Sequence, residues 1–183
     1  MDTNLSVKQI ELMLHNSGWW NKRTDVMLPN LSWGLLNHEA DFVIVSKSGY
    51  LTEIEIKRSY ADLKADFKKD VFHRDERIYR FMYCLPLSIR EKALALFDEN
   101  YGKIAELYGH NPDYKYTQQF FPYIIWYEEN GHLSVEPKKL DSRSGARRLF
   151  LEERETIGRL ASIRYWDLAN KVTDMPNGQK KLF

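Results

Sequence analysis

Between Glu39 and Lys57 the chain brings together residue types able to hold a cation and activate water: Glu39, Asp41, Glu53, Glu55 and Lys57. Hard cations such as Mg²⁺ take one or two carboxylates and keep several waters. A neighbouring lysine can orient one of those waters or help to deprotonate it. The stretch reads as a β-hairpin: Glu39 to Val45, a Ser46-Lys47-Ser48-Gly49 turn, then Tyr50 to Lys57. Both arms are rich in β-branched and aromatic residues and are joined by a short turn that contains glycine. In the second arm, alternation sends Glu53, Glu55 and Lys57 to one face and Ile54 and Ile56 to the other. A merely solvated hairpin would explain the alternation. The unbroken apolar run Phe42-Val43-Ile44-Val45 argues against it, because such a run suits a strand covered on both faces. Carboxylates at the end of that strand meet the rim of a core, where charge is costly unless it is paired or holds a metal.

Elements that could position these residues lie on both sides. Before the hairpin, Ser6 is a helix N-cap with Ile10, Met13 and Leu14 at helical spacing and Leu5 as a staple. A short strand is expected around Asp25 to Leu28. After Lys57, Ser59 is placed to cap a second helix, with Asp62 three residues on. Leu63 and Phe67 form its apolar stripe, and Arg58, Lys64, Lys68, Lys69, His73 and Arg74 form its basic side, diluted by Asp62, Asp66 and Asp70. Arg80 to Pro86 reads as a buried strand stopped by proline.

Asp41, thirteen intervening residues and then Glu55-Ile56-Lys57, set in this order of elements, resemble the core motif of the PD-(D/E)xK nuclease superfamily. The residue before Asp41 is Ala40 where that motif has proline. The resemblance implies an α/β fold: a restriction-endonuclease-like αβββαβ core over about residues 5 to 86, a mixed sheet flanked by helices. It implies a Mg²⁺- or Mn²⁺-dependent deoxyribonuclease of DNA repair, recombination or mobile-element processing. Asp41 and Glu55 would ligate the metal together with the backbone carbonyl of Ile56, and Lys57 would act on the attacking water or the transition-state charge. Glu11 on the first helix would reach the metal, and Glu53 or Glu39 would support it. Arg58, Lys64, Lys68 and Lys69 would flank a bound DNA backbone. Small members of the superfamily often work as homodimers. A module of the same fold that binds DNA without cutting it is the alternative.

Composition bounds these readings. A chain of 183 residues, 43% hydrophobic and 29% charged, suits one soluble domain with a real core. Cys84 is the only cysteine, which excludes an intramolecular disulfide and fits a reducing, cytoplasmic setting. Its apolar surroundings make it a buried thiol and not a nucleophile. No apolar run approaches a membrane span, and the N-terminus lacks a signal-peptide pattern. A net charge of +1 leaves any nucleic-acid surface to local patches.

The remaining segments are read as additions to the core. Ser88 to Tyr108 is helical with a break at Gly102, and Gly109 to Thr117 is a loop. Phe121 to Tyr127 and His132 to Glu136 form a hairpin on an Asn130-Gly131 turn. A long helix is expected from about Ser144 to Lys171. Arg143, Arg147 and Arg148 would open it against the helix dipole, and so face an anion or an acidic partner. Met175 to Phe183 reads as a disordered tail. Trp19, Trp20 and Trp33 are read as core-edge residues ahead of a base-stacking surface. His38 stands beside the acidic stretch as a possible ligand.

Overall fold

The sheet takes its form from its third strand. The computed structural model describes residues 3–32, 34–69, 73–107, 123–136, 143 and 145–173. Along it run α1 (Val7–Asn16), β1 (Val26–Leu31), β2 (Ala40–Val45), β3 (Leu51–Ile56), α2 (Tyr60–Asp66) and β4 (Ile78–Pro86). A 3₁₀ turn (Leu87–Ile89), α3 (Arg90–Glu99), α4 (Tyr101–Leu107), β5 (Tyr123–Tyr127), β6 (Leu133–Glu136) and α5 (Leu151–Thr173) follow. The fold is mixed α/β: one open sheet of six strands in the order β1-β2-β3-β4-β5-β6, flanked by helices. Strands β1, β2 and β3 form an antiparallel meander; β3–β4 and β4–β5 are parallel; β5–β6 is antiparallel.

All six residues of β3 are buried, since β2 and β4 cover its edges and side chains cover its faces. Ile54 is fully buried, a contribution of about 1.5–3 kcal/mol by transfer. The tight turn from β2 to β3 needs Gly49, whose φ is +85° and whose N–H donates to the Ser46 carbonyl at 2.8 Å.

Helix starts follow their caps. Ser6 Oγ accepts from the Gln9 N–H at 3.3 Å while Gln9 Oε1 accepts from the Ser6 N–H at 2.8 Å, a complete capping box. Ser59 Oγ accepts from the Asp62 N–H at 3.1 Å and starts α2 directly after β3.

Two expected helix boundaries are corrected. The break between α3 and α4 falls at Asn100, before Gly102, where the Asn100 side-chain amide donates to the Leu96 carbonyl at 2.8 Å. The last helix starts at Leu151, not Ser144. The backbone N–H groups of Arg143, Arg147 and Leu149 donate to Tyr79, Glu76 and Gly49, so this segment is committed to other strands and turns. Glu153 then accepts from the Phe150 N–H at 2.7 Å and fixes the true start. Trp33, the loop at 109–117 and the tail at 175–183 lie outside the described residues. Among the described residues no helix is long and apolar enough to cross a membrane.

Candidate functional site

The register of the meander places the first carboxylates. Phe42 pairs with Ile54, so Asp41 stands opposite Glu55 on the same face of the sheet. Asp41 Oδ2 accepts from the Ile56 N–H at 2.9 Å. The N–H and carbonyl of a strand residue point the same way, so the Ile56 carbonyl leaves β3 on the side of β2.

Glu53 and Glu55 are buried at 0% and 3% exposure, and charge at that depth requires partners. Lys57 Nζ lies 2.5 Å from Glu55 Oε1 and 3.2 Å from Asp66 Oδ1. Lys69 Nζ, reaching in from just beyond α2, lies 2.6 Å from Asp66 Oδ1 and 3.3 Å from Glu55 Oε1. The other Asp66 oxygen receives His73 Nε2 at 2.9 Å and the Tyr83 hydroxyl at 2.8 Å. His73 Nδ1 lies 2.7 Å from Glu53 Oε1, and His38 Nε2 lies 2.9 and 3.0 Å from the two Glu53 oxygens. A continuous chain of buried polar contacts thus runs from His38 through Glu53, His73, Asp66 and Lys57 to Glu55.

Proton affinities follow from these contacts. Burial opposes charge on His73, but its hydrogen bonds to Asp66 and Glu53 outweigh burial and raise it to about 10. Burial likewise opposes charge on Lys57, and Glu55 and Asp66 lift it above the ordinary lysine range nonetheless. Against burial, His73 and Lys57 hold Asp66 well below the usual carboxylate range, and His38 with His73 lowers Glu53. Asp41 moves the opposite way: burial and the Glu55 carboxylate raise it to about 6. Glu55 Oε2 is buried and has no hydrogen-bond partner among the described residues.

Asp41, Glu55 and Lys57 are therefore brought together, with the Ile56 backbone beside them. Glu11 stands elsewhere in its contacts: its charged neighbours are Lys8 and Arg164, and burial raises its carboxyl. Glu39 is exposed ahead of β2. Arg58, Lys64 and Lys68 are exposed, whereas the amino group of Lys69 turns in to the carboxylates.

The expectation that Arg143, Arg147 and Arg148 open a helix fails, and their partners lie within the chain. Arg147 pairs with Glu76 at 2.7 Å and with Glu153 at 2.8 Å, Arg143 donates to the Asp75 carbonyl at 2.8 Å, and Arg148 lies over the Tyr50 ring at 4.9 Å.

Sequence reasoning missed Asp66 and His73 as members of the site. Asp66 had a signal: it follows Leu63 by three positions and precedes Phe67, so helical spacing puts it on the buried face. His73 carried none, being read as part of a basic run.

Two groups have donor atoms close enough to share a cation, within 4.8 Å of one another: His38, Glu53 and His73, and Glu55, Asp66 and His73. The chain matches no family model, no curated protein and no solved structure.

Proposed function

We propose that the chain is a metal-dependent nuclease that hydrolyses DNA phosphodiesters at the Asp41–Glu55–Lys57 end of the cluster. The observation that carries this reading is the buried Glu55 Oε2, without a hydrogen-bond partner among the described residues, beside Asp41, a carboxyl raised to about 6. Two facing carboxylates, one with an oxygen to spare, fit a hard divalent cation. The order α1, β1, β2, β3, α2, β4 supports the resemblance to the PD-(D/E)xK core.

In this reading Asp41, Glu55 and the Ile56 carbonyl would hold Mg²⁺, which when bound would polarise a phosphoryl oxygen and lower the pKa of an attacking water. Lys57, held by Glu55 and Asp66, keeps its positive charge fixed toward the site. That preset charge stabilises negative charge as it develops on the phosphate. Exposed Arg58, Lys64 and Lys68 lie along the chain that leaves the site and receive the DNA backbone.

The test is Mg²⁺-dependent cleavage of plasmid and linear DNA by the wild type, Asp41→Asn and Glu55→Gln. Both variants should lose cleavage and keep the wild-type circular dichroism spectrum. Lys57→Ala should cut about 10²–10³-fold more slowly, as for loss of one preorganised charge donor. Wild-type cleavage by either carboxylate variant would sink the assignment.

One observation favours a second reading, a DNA-binding module that does not cut. Lys57 and Lys69 already compensate Glu55 and Asp66 without any added cation. Under that reading, Mn²⁺ titration gives no saturable heat attributable to Asp41 and Glu55, and DNA affinity is the same in chelator as in Mg²⁺.

A further inference from the structure

The other end of the cluster carries a separate inference, independent of the nuclease reading. We propose that His38 Nε2, His73 Nδ1 and the Glu53 carboxylate form a second metal site, selective for a borderline-soft divalent cation of the Zn²⁺ class. The site joins three segments distant in sequence: the residues before β2, strand β3, and the chain beyond α2. Two imidazoles and one carboxylate suit Zn²⁺ and its neighbours, whereas Mg²⁺ and Ca²⁺ take oxygen ligands.

The far side of each ring supports the assignment. His73 Nε2 faces Asp66 Oδ2 at 2.9 Å, and His38 Nδ1 faces Asn37 Oδ1 at 2.7 Å. Metal-bound histidines characteristically give their second ring N–H to such an oxygen, which fixes the tautomer and aims the other nitrogen at the ion. The Asn37 orientation is itself fixed, because its Nδ2 donates to the Arg74 carbonyl. With Asn37 Oδ1 turned toward the ring, a neutral His38 carries its single proton on Nδ1. The Nε2 lone pair then points at both oxygens of a fully buried carboxylate. Lone pair against lone pair is repulsive until either an extra proton or a metal ion lies between them. A metal ion removes the conflict at His38 and takes the place of the His73 Nδ1 proton, which leaves to solvent on binding.

Little movement is needed. Ligand bonds of about 2.0–2.2 Å around a tetrahedral ion set the donor atoms about 3.2–3.6 Å apart. The Glu53–histidine separations of 2.7 to 3.0 Å must open by roughly half an ångström, and the three donor atoms already lie within 4.8 Å of one another. His38 forms the outer wall, with 14% of its side chain exposed, and gives the ion an entry path.

The experiment is equilibrium dialysis of the full chain, stripped with chelator, against Zn²⁺, with Co²⁺ as a spectroscopic probe. The wild type should hold one equivalent that persists in Asp41→Asn and is weakened at least tenfold in His38→Ala. Co²⁺ at this site should give intense visible bands of low-coordinate nitrogen ligation, absent from His38→Ala. If His38→Ala folds poorly, His38→Gln, which keeps a polar side chain against Glu53, decides the matter and should lose the same bands. Three results would overturn the proposal: no Zn²⁺ on the wild type, undiminished binding by His38→Ala, or loss of the equivalent in Asp41→Asn. The last would place the ion at the carboxylate end, and a nuclease without Zn²⁺ binding would remove this site while leaving the first reading intact.

Discussion

Glu53 and Glu55 stand two residues apart on one face of one strand, equally buried, yet their surroundings are opposite. Glu53 receives two imidazoles, and its pKa is lowered. Glu55 receives lysine from one side, meets the Asp41 carboxylate on the other, and keeps one oxygen without a hydrogen bond among the described residues. Strand position dictated that both would point inward. The neighbours, supplied by segments outside the hairpin, determined that one carboxylate is satisfied and the other is available. Adjacent residues of one type can thus present different chemistry, nitrogen-rich at one end of the cluster and oxygen-rich at the other.

The largest effect should come from breaking the satisfied end. Glu53→Gln leaves the His73 imidazolium facing a neutral amide in the interior. Removing one member of a buried ion pair costs about 3–5 kcal/mol. Urea unfolding in chelator should show that loss, and a loss below about 1 kcal/mol would mean that Glu53 is not the anchor described.

At the available end the sign should reverse. Asp41 has its pKa raised from 3.8 to about 6, so its favourable contribution to folding is full below pH 3.8 and is lost as the pH rises through about 6. At pH 7 and without metal, the ionised carboxylate therefore destabilises the fold. Asp41→Asn, which can still accept from the Ile56 N–H, should gain on the order of 1–3 kcal/mol in chelator. Saturating Mg²⁺ should stabilise the wild type alone and close or invert the gap. Equal stability of the two proteins in chelator at pH 7 would contradict the contrast drawn between the two ends.

The smallest effect concerns the surface. Lys64 and Lys68 are exposed and have no side-chain partner among the described residues. Neutralising both should lower DNA affinity across all sequences and reduce the log–log salt slope by about 2, at about 0.9 per phosphate contact. Zn²⁺ and Mg²⁺ binding should be unchanged. An unaltered slope would make them ordinary solvated residues.

Much of the oxygen-rich end was legible because it is local. Alternation along 53–57 and a short turn suffice to bring Asp41, Glu55 and Lys57 together. The caps at Ser6 and Ser59 were legible for the same reason. The nitrogen-rich end depends on contacts between residues 15 to 20 positions apart that no periodicity connects: His38 to Glu53 and Glu53 to His73. Arg147 misled for a related reason. Its charge was read against a helix dipole, while its backbone and side chain were both engaged by Glu76, 71 residues away.

The parallel pairing of β4 bears on the order in which the molecule assembles. Strands β1 to β3 close through neighbouring turns and have low contact order. Strand β4 pairs with β3 only across the excursion through α2, and with β5 only across α3 and α4. Long closures of this kind are slow. Asp41 and Glu55 are expected to meet early, within a folding meander. Asp66 and His73 join them only once Phe81 and Tyr83 of β4 have docked beside Glu53 and Glu55. Pulsed hydrogen exchange during refolding should protect the β2–β3 amides before those shared by β3 and β4. The early meander would then hold Asp41 and Glu55 against Lys57 alone, with Lys69, Asp66 and His73 completing the charge compensation later.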